Sequence, residues 1–179
     1  MRGDLILTNG ERLNDINYKI DIYAHRILVY QEYLKRVVSV SKADICELYV
    51  KDTDPARKFI FLANISTKAK VSNGCYFEVL SEGRISFYKL YYKDVLPLRN
   101  PEMPLLDEFI DESSYFLKDG DAVRGVRLRK SVLFKLYPQY KSELKEFIRR
   151  KSLHLRQEDD FNIAVSHLGS VLELIENNQ

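Results

Sequence analysis

The amino-acid sequence predicts an α+β fold: an antiparallel, curved β-sheet or barrel-like sandwich over residues 1–128, followed by C-terminal helices over residues 129–179. Up to residue 128, short runs with apolar residues at alternate positions are separated by turn signals, as in antiparallel strands. After that point the apolar residues recur at helical spacing. Strands followed by helices, rather than alternating with them, disfavour a parallel sheet. We therefore expect one folded unit in which the helical part packs on the β-rich part.

The first strands are separated by short turns. Asn9-Gly10, within "LILTNGERL", favours a type I′ hairpin turn because both residues tolerate positive φ. The next run, "INYKIDIY", alternates apolar and polar residues, which predicts one buried and one solvated face. Three further runs predict strands: "RILVY", "RVVSVSKADICELYV" and "KFIFLANI".

The stretch "YFEVLSEGRISFYKLYYKDVL" at 76–96 predicts a central hairpin. Its turn lies near Ser81-Glu82-Gly83, between two arms rich in aromatic and branched residues. Apolar side chains occupy both parities of these arms, whereas a hairpin with one solvated face has one polar parity. We expect both faces to be covered, one of them by the C-terminal helices.

Residues 97–114 contain three prolines and several acidic residues, which predicts a connecting loop with a helical turn around 105–110. The carboxyl pairs Asp107/Glu108 and Asp111/Glu112 in this loop are typical of a solvated surface. "SYFLKDGDAVRGVRL" then predicts another hairpin about Asp119-Gly120.

The last fifty residues predict three helical segments. A short helix through Leu133 and Leu136 breaks at Pro138, and a second helix carries Leu144 and Phe147 on one face. A third begins with three acidic residues, which complement the helix dipole. Residues 129–156 hold nine Lys or Arg against two Glu, while residues 157–179 hold five acids and no Lys or Arg. This asymmetry predicts that the second and third helices are neighbours.

Composition excludes several functional classes. With 28 Lys and Arg against 26 Asp and Glu, the net charge of +2 is far from that of a dedicated nucleic-acid binder. No apolar run is long enough to span a membrane as a helix. The sequence has no phosphate-binding loop and no metal-ligand spacing, so we expect neither a cofactor nor a metal. Cys46 and Cys75 either pair in an oxidising compartment or, as packing residues, stay unpaired.

Histidine offers the few candidates for catalysis. No nucleophile-elbow pattern is present, and the three histidines, His25, His154 and His167, are dispersed. We expect each to cap, pack or face solvent. A hydrolase remains a hypothesis only if one of them lies in a cleft beside an acid and a nucleophile.

Basic and aromatic residues suggest a possible binding surface. Aromatic side chains of exposed strands stack on bases in some nucleic-acid binders, while Lys and Arg contact phosphates. The alternative interpretation is that the tyrosines are half-buried and pack the sheet. The candidate surface residues are Arg84, Tyr88, Lys89, Tyr92, Lys93, Arg149, Arg150 and Lys151.

The order of four motifs resembles a group of uncharacterised proteins of Bacteroidota. The motifs are the strand-turn "GDLILTNG", the hairpin "YKIDIYAHRILVY", the central "GCYFEVLSEGR" and the hairpin "SYFLKDG", followed by basic and then acidic helices. "SHLGSVLEL" near the end departs from the Tyr- and Asn-rich ending of that group. Because such proteins are usually exported, the resemblance implies a bacterial, periplasmic or otherwise exported protein whose signal peptide is not part of this chain. The sequence alone leaves a cytoplasmic location as the alternative.

We hypothesise from the sequence a noncatalytic cell-envelope protein that binds a partner protein or a cell-surface component. The first alternative is a small-ligand-binding β-module, in which a sheet encloses an apolar pocket with a few polar groups. Weak nucleic-acid binding through the basic and aromatic residues is the second alternative.

Overall fold

A computed structural model describes residues 1–66, 74–97 and 107–177, with the side chains of 96, 97, 107 and 108 left aside. The described residues include ten strands and three α-helices. The strands are β1 (Arg2–Leu7), β2 (Arg12–Asp21), β3 (Arg26–Gln31), β4 (Arg36–Val40), β5 (Ile45–Val50), β6 (Arg57–Leu62), β7 (Cys75–Ser81), β8 (Ile85–Pro97), β9 (Asp107–Asp119) and β10 (Ala122–Val126). The helices are α1 (Lys130–Leu136), α2 (Lys141–Arg150) and α3 (Glu158–Glu176), with short 3-10 turns at Lys42–Asp44 and Pro138–Tyr140.

The strands form one open antiparallel sheet in the order β10-β9-β8-β7-β6-β5-β1-β2-β3-β4. Helices follow the strands along the chain, so the predicted α+β class is confirmed. Of the two predicted arrangements, the structure has a single sheet and not two packed ones. The Asn9-Gly10 turn joins β1 to β2 as predicted, but it is not of type I′, because Gly10 has a positive φ of 85° and Asn9 does not.

The contacts between residues divide the chain into two compact units. The boundaries of these units differ from the position near Arg129 at which the spacing of apolar residues changes from strand-like to helical. The sheet unit comprises Met1–Glu78 and Leu90–Ser113, and the helical unit comprises Val79–Lys89 and Ser114–Gln179. Strands β7, β8 and β9 contribute residues to both.

The sheet unit has its own apolar core. Alternate residues of neighbouring strands supply it, as the period-2 pattern of "INYKIDIY" predicts: Tyr18 is 2% exposed, and Asn17 and Lys19 beside it are exposed. The buried residues of this core are Leu5, Tyr18, Ile27, Ile45, Leu48, Val50, Phe59 and Tyr76.

The helical unit buries one apolar face of the central hairpin under its helices, as the sequence predicts. Phe87 of β8 lies with its ring centroid 5.2 Å from that of Phe161 of α3. A Cβ on Gly169 of α3 would lie 3.5 Å from the backbone nitrogen of Ile85, in ordinary van der Waals contact, so the helix packs directly on the strand at this point. The fully or nearly buried core residues are Ile85, Phe87, Leu117, Leu133, Tyr137, Leu144, Leu155, Phe161, Ala164, Val165 and Leu168.

The prediction for residues 105–114 is also wrong. The sequence predicts a helical turn around 105–110 in a loop reaching 114, but β9 begins at Asp107, so the backbone from 107 onward is extended. The ring of Phe109 packs edge-on against that of Tyr23 with centroids 5.2 Å apart, although both side chains are half-exposed. The place of β9 between β8 and β10 in the sheet outweighs the local acidic composition. Residues 98–106 of the predicted loop lie outside the described residues.

Candidate functional site

A small pocket in the sheet unit collects polar side chains that are otherwise enclosed by apolar ones. It has a volume of about 190 Å³. We call it the His25 pocket. Its described lining residues are Met1, Ile20, Ile22, His25, Arg57, Phe59, Tyr76 and Tyr91.

The turn between β2 and β3 places His25 in this pocket. The Asp21 carboxylate accepts hydrogen bonds from the backbone nitrogens of Tyr23 at 3.2 Å and Ala24 at 3.0 Å. Asp side chains favour such turns because they bond the backbone two residues ahead. Asp21 also accepts from Arg26 Nε at 2.9 Å, which ties the two ends of the turn together. His25 adopts a left-handed φ of 48° at the end of the turn, and its side chain is 1% exposed.

The imidazole of His25 is buried and lacks hydrogen bonds. Neither Nδ1 nor Nε2 has a partner among the described residues. Burial and, to a lesser extent, the charge of Lys42 lower the pKa of His25 to about 4, against the opposing effect of Asp21. The ring is therefore neutral at pH 7, with one nitrogen able to donate and the other able to accept.

Tyr76 adds a second polar group without a partner. It lies on β7 opposite Phe61 of β6, and the two ring centroids are 5.4 Å apart. The residue is 3% exposed, and its hydroxyl has no hydrogen-bond partner among the described residues. Burial raises the pKa of Tyr76, so the hydroxyl stays protonated at physiological pH.

An ion pair with a tyrosine forms another wall of the pocket. Arg57 Nη2 donates to Glu78 Oε2 at 2.8 Å and to the Tyr91 hydroxyl at 3.0 Å. The same Tyr91 hydroxyl donates to Glu78 Oε2 at 2.6 Å. A second bond joins Arg57 Nε to Glu78 Oε1. Three adjacent strands, β6, β7 and β8, supply these residues, so the sheet itself sets their spacing. Glu78 balances the charge of Arg57, so this wall is polar with no net charge.

Unpartnered buried groups make this pocket chemically distinct. An unsatisfied buried donor or acceptor costs about 1–3 kcal/mol, and most native buried groups avoid that cost by pairing. The imidazole nitrogens and the Tyr76 hydroxyl are buried from solvent, so a small molecule with a hydroxyl, carbonyl or amide group can bond them when the lining side chains shift to expose them. Its apolar body can contact Ile20, Ile22 and Phe59.

The structure places the predicted tyrosines inside the protein. Tyr88 is 4% exposed and Tyr92 is 7% exposed. Since stacking on a base needs an accessible ring face, neither can form the stacking surface considered from the sequence. Leu90, of the same parity, is 0% exposed, and Ile85 and Phe87, of the other parity, are 2% and 0% exposed, which confirms the expectation that both parities of this hairpin are covered.

The predicted strand cations are engaged in ion pairs. Arg84 pairs with Asp119 and, at 2.7 Å, with Glu176. Lys89 lies 2.6 Å from Glu158 and above the ring of Tyr115. These contacts give both cations structural roles within the helical unit.

Lys93 and the cations of α2 complete the predicted set. In the sheet unit, Lys93 lies 3.1 Å from Asp111. At the end of α2, Arg149, Arg150 and Lys151 are exposed, and the Arg150 guanidinium lies over the ring of Phe147. Of the eight predicted residues, the three of α2 therefore stay at an accessible surface.

The other reactive residue types are dispersed among the described residues. Cys46 is exposed and Cys75 is buried. No group of three His, Cys, Asp or Glu in residues 1–66, 74–97 and 107–177 could hold a metal ion. Within the same residues, no helix has both the length and the apolar character needed to cross a membrane. The ring of His167 stacks on that of Phe147, with centroids 3.7 Å apart. His154 is exposed, lies 3.9 Å from Asp160 and lines a groove that Ser131 also lines, so it is the histidine that comes nearest to the arrangement a hydrolase needs.

Sequence reasoning singled out His25 but not its neighbours Tyr76, Arg57 and Glu78. One signal for them was present: Glu78 interrupts the apolar run "CYFEVL" of β7. A charge inside a buried strand requires a partner of opposite charge, and Arg57 supplies it. The contribution of Tyr76 had no signal, because most tyrosines of this chain lie in similar strand patterns.

Comparisons with protein-family models, with curated proteins and with solved structures find no match for this chain. The fold and the site define an α+β protein whose sheet unit has a small pocket with both apolar and polar lining residues.

Proposed function

We propose that the sheet unit binds a small, neutral and partly apolar molecule in the His25 pocket. The observation that carries this proposal is the pair of buried polar side chains, His25 and Tyr76, that line one pocket without hydrogen-bond partners among the described residues. This function corresponds to the first alternative of the sequence analysis, a small-ligand-binding β-module.

The volume sets the size of the ligand. The pocket of about 190 Å³ is somewhat larger than an engineered apolar cavity of about 150 Å³ that binds benzene. A single ring with one polar substituent fits this volume. The aromatic ring of Phe59 and two isoleucines provide the apolar walls that such a ring needs.

Electrostatics favours a neutral ligand. Arg57 is paired with Glu78, and the lowered pKa of His25 keeps the imidazole uncharged at neutral pH. A charged ligand would lose its hydration without gaining an uncompensated opposite charge in the pocket. Neutral donors and acceptors lose less hydration free energy when they enter the pocket.

The same groups favour binding over catalysis. An imidazole with a pKa of about 4 is a weak general base at neutral pH. The raised pKa of Tyr76 makes its hydroxyl a poor nucleophile. None of the eight described lining residues is Ser, Thr or Cys.

Ligand titrations followed by NMR test the proposal. The probes are phenol and benzyl alcohol, with toluene as the apolar analogue and benzoate and benzylamine as charged analogues. We expect saturable shifts of the His25 imidazole resonances, and an affinity for phenol about tenfold above that for toluene, because one or two hydrogen bonds contribute about 1 kcal/mol each. Benzoate and benzylamine should bind more weakly than phenol.

Matched tyrosine variants locate the polar contact. Tyr76→Phe should lower the preference for phenol over toluene severalfold. Tyr18→Phe is the control, because the Tyr18 hydroxyl is also buried without a partner among the described residues but is not part of the pocket lining. Equal affinities for phenol and toluene, or shifts that spare His25, would overturn the proposal.

The envelope location and bacterial source rest on the sequence resemblance and stay a prediction. Fractionation of cells that express the native reading frame checks the location: enrichment in the periplasmic fraction supports export, and enrichment in the cytoplasmic fraction contradicts it.

A further inference from the structure

A groove of about 560 Å³ lies in the helical unit, between the start of α1 and the segment that joins α2 to α3. We call it the basic groove. It does not rest on the His25 pocket. Its described lining residues are Arg129, Lys130, Ser131, Ile148, Leu153, His154, Leu155, Arg156 and Gln157.

Three cations from two separate segments converge on this groove. Arg129, Lys130 and Arg156 are exposed, and within the described part of the chain none of them forms an ion pair. They differ in this from Arg84 and Lys89 of the same unit, which are paired with acids. Like charges held close together repel one another, so an anionic group bound among them lowers the electrostatic energy.

The floor of the groove is apolar and belongs to a packed region. Leu155 is 6% exposed and is part of the core of the helical unit. Ile148 and Leu153 are half-buried and pack against that core. A floor fixed in this way can receive an apolar side chain without reordering.

We propose that the basic groove binds a short acidic peptide segment of a partner protein, with Asp or Glu residues next to Leu, Ile or Met. The planar guanidinium groups of Arg129 and Arg156 suit bidentate contacts with carboxylates. The apolar side chains of the peptide cover Ile148, Leu153 and Leu155. Charge at the rim and apolar surface at the floor together require both features in one ligand.

Nucleic acid is the less favoured occupant. None of the nine described lining residues is Phe, Tyr or Trp, so His154 carries the only ring of the described lining on which a base can stack. Phosphates alone would leave the apolar floor unused.

The end of α2 extends the positive surface. Arg149, Arg150 and Lys151 are exposed and directly precede the groove residues Leu153–Gln157 in the chain. Their charge steers an acidic peptide toward the groove and raises its association rate at low salt.

Fluorescence anisotropy with the full chain tests the proposal. The probe is a fluorescein-labelled hexapeptide of sequence Asp-Glu-Leu-Asp-Leu-Glu. Two analogues separate its features: glycine replaces leucine in one, and Asn and Gln replace the acids in the other. We expect the parent peptide to bind about tenfold more tightly than either analogue, and its affinity to fall as salt is raised.

Charge reversals locate the site. The double variant Arg129→Glu with Arg156→Glu should weaken binding of the parent peptide about tenfold, because two attractive contacts become repulsive. Lys135→Glu is the matched control: Lys135 is an exposed cation of α1 that is not part of the groove lining, and we expect less than about a twofold effect. Should the double reversal unfold the helical unit, as judged by circular dichroism, Arg129→Gln with Arg156→Gln takes its place.

Three results would overturn the proposal. One is no saturable binding of the parent peptide. Another is equal loss of affinity in the groove variant and in the Lys135→Glu control. The third is tighter, groove-dependent binding of a labelled hexathymidylate, which would assign the groove to single-stranded nucleic acid.

Discussion

Two tyrosines of the helical unit and two of the sheet unit differ in whether their hydroxyls form hydrogen bonds. In the helical unit, the hydroxyls of Tyr115 and Tyr137 donate to carboxylates, at 2.7 Å and 3.0 Å. In the sheet unit, the hydroxyls of Tyr18 and Tyr76 have no partner within the described part of the chain. Tyr91 of the sheet unit also donates to a carboxylate, that of Glu78, so the unit in which a tyrosine lies does not by itself decide the outcome. What differs is whether an acidic side chain lies within reach.

The hydrogen bonding of these tyrosines indicates where each unit can bind a ligand. The sheet unit keeps its unused hydrogen-bonding groups inside, beside a small pocket, which suits a neutral molecule. The helical unit satisfies Tyr115 and Tyr137 internally and holds its unpaired cations at a surface groove, which suits an anionic partner.

Core truncations give the largest expected effect and compare the packing of the two units. Phe161→Ala, at a residue 0% exposed, should lower the free energy of unfolding by about 4 kcal/mol. Phe59→Ala should cost less, about 3 kcal/mol, because Phe59 borders the His25 pocket and has fewer neighbours on that side. Urea unfolding followed by circular dichroism measures both, and a larger loss in Phe59→Ala would contradict the comparison.

Acid pH should destabilise the protein through the buried His25. Its pKa is about 4 when folded and about 6.5 when unfolded, so the unfolded chain binds a proton first as the pH falls. This contribution to stability is complete above pH 6.5, and about 3 kcal/mol of it is lost by pH 4. Urea unfolding between pH 7 and pH 4 measures the loss.

His25→Asn is the control for this pH dependence, because Asn tolerates the left-handed backbone at this position and does not titrate. Asp4 acts in a separate window: its bonds with Lys51 and Arg12 hold its pKa below its usual range, so its contribution is lost only at more acidic pH. An unchanged pH dependence in His25→Asn would show that other groups cause it.

Removal of a satisfied tyrosine hydroxyl should destabilise the helical unit. Tyr137→Phe deletes the hydrogen bond to Asp119 and should lower the free energy of unfolding by about 1 kcal/mol. Tyr140→Phe is the matched control, because the Tyr140 hydroxyl makes no hydrogen bond within residues 1–66, 74–97 and 107–177. Thermal unfolding compares the two variants. Equal melting temperatures would show that the hydrogen bond to Asp119 makes no measurable contribution to stability.

Removal of an unsatisfied hydroxyl should give the smallest effect, with the opposite sign. Tyr76→Phe replaces a buried group that has no partner among the described residues, so stability should be unchanged or raised by up to about 1 kcal/mol. Thermal unfolding without added ligand measures it. A destabilisation equal to that of Tyr137→Phe would mean that the Tyr76 hydroxyl is already satisfied.

Local patterns predicted most of the fold. The Asn9-Gly10 turn, the break at Pro138 and the acidic start of α3 at Glu158 all lie where the sequence indicates. Each depends on backbone preferences of a few adjacent residues, which act in any context. The strand start at Asp107 was missed, because strand pairing and the contact of Phe109 with Tyr23 involve residues far apart in sequence.

The candidate site was less accessible to prediction. Tyr88 and Tyr92 belong to a stretch whose composition suits either a binding surface or a core. Their side chains are only 4% and 7% exposed because both faces of β8 are packed. Whether the Tyr76 hydroxyl has a hydrogen-bond partner depends on which side chains lie next to it in the folded protein. No local pattern contains that information.

By itself, the sequence determined the order of strands and helices, the hairpin turns and the basic-then-acidic character of the helical region, because these depend on neighbouring residues and on residue type. Only the tertiary structure decided which polar groups find partners. It brought Arg57, Glu78 and Tyr91 together from three strands, left His25 and Tyr76 unpaired beside a pocket, and placed Arg129 near Arg156 at a groove. Hydrogen bonds and ion pairs act over a few ångströms in space, and distances of that size between remote residues are defined only when the chain has folded.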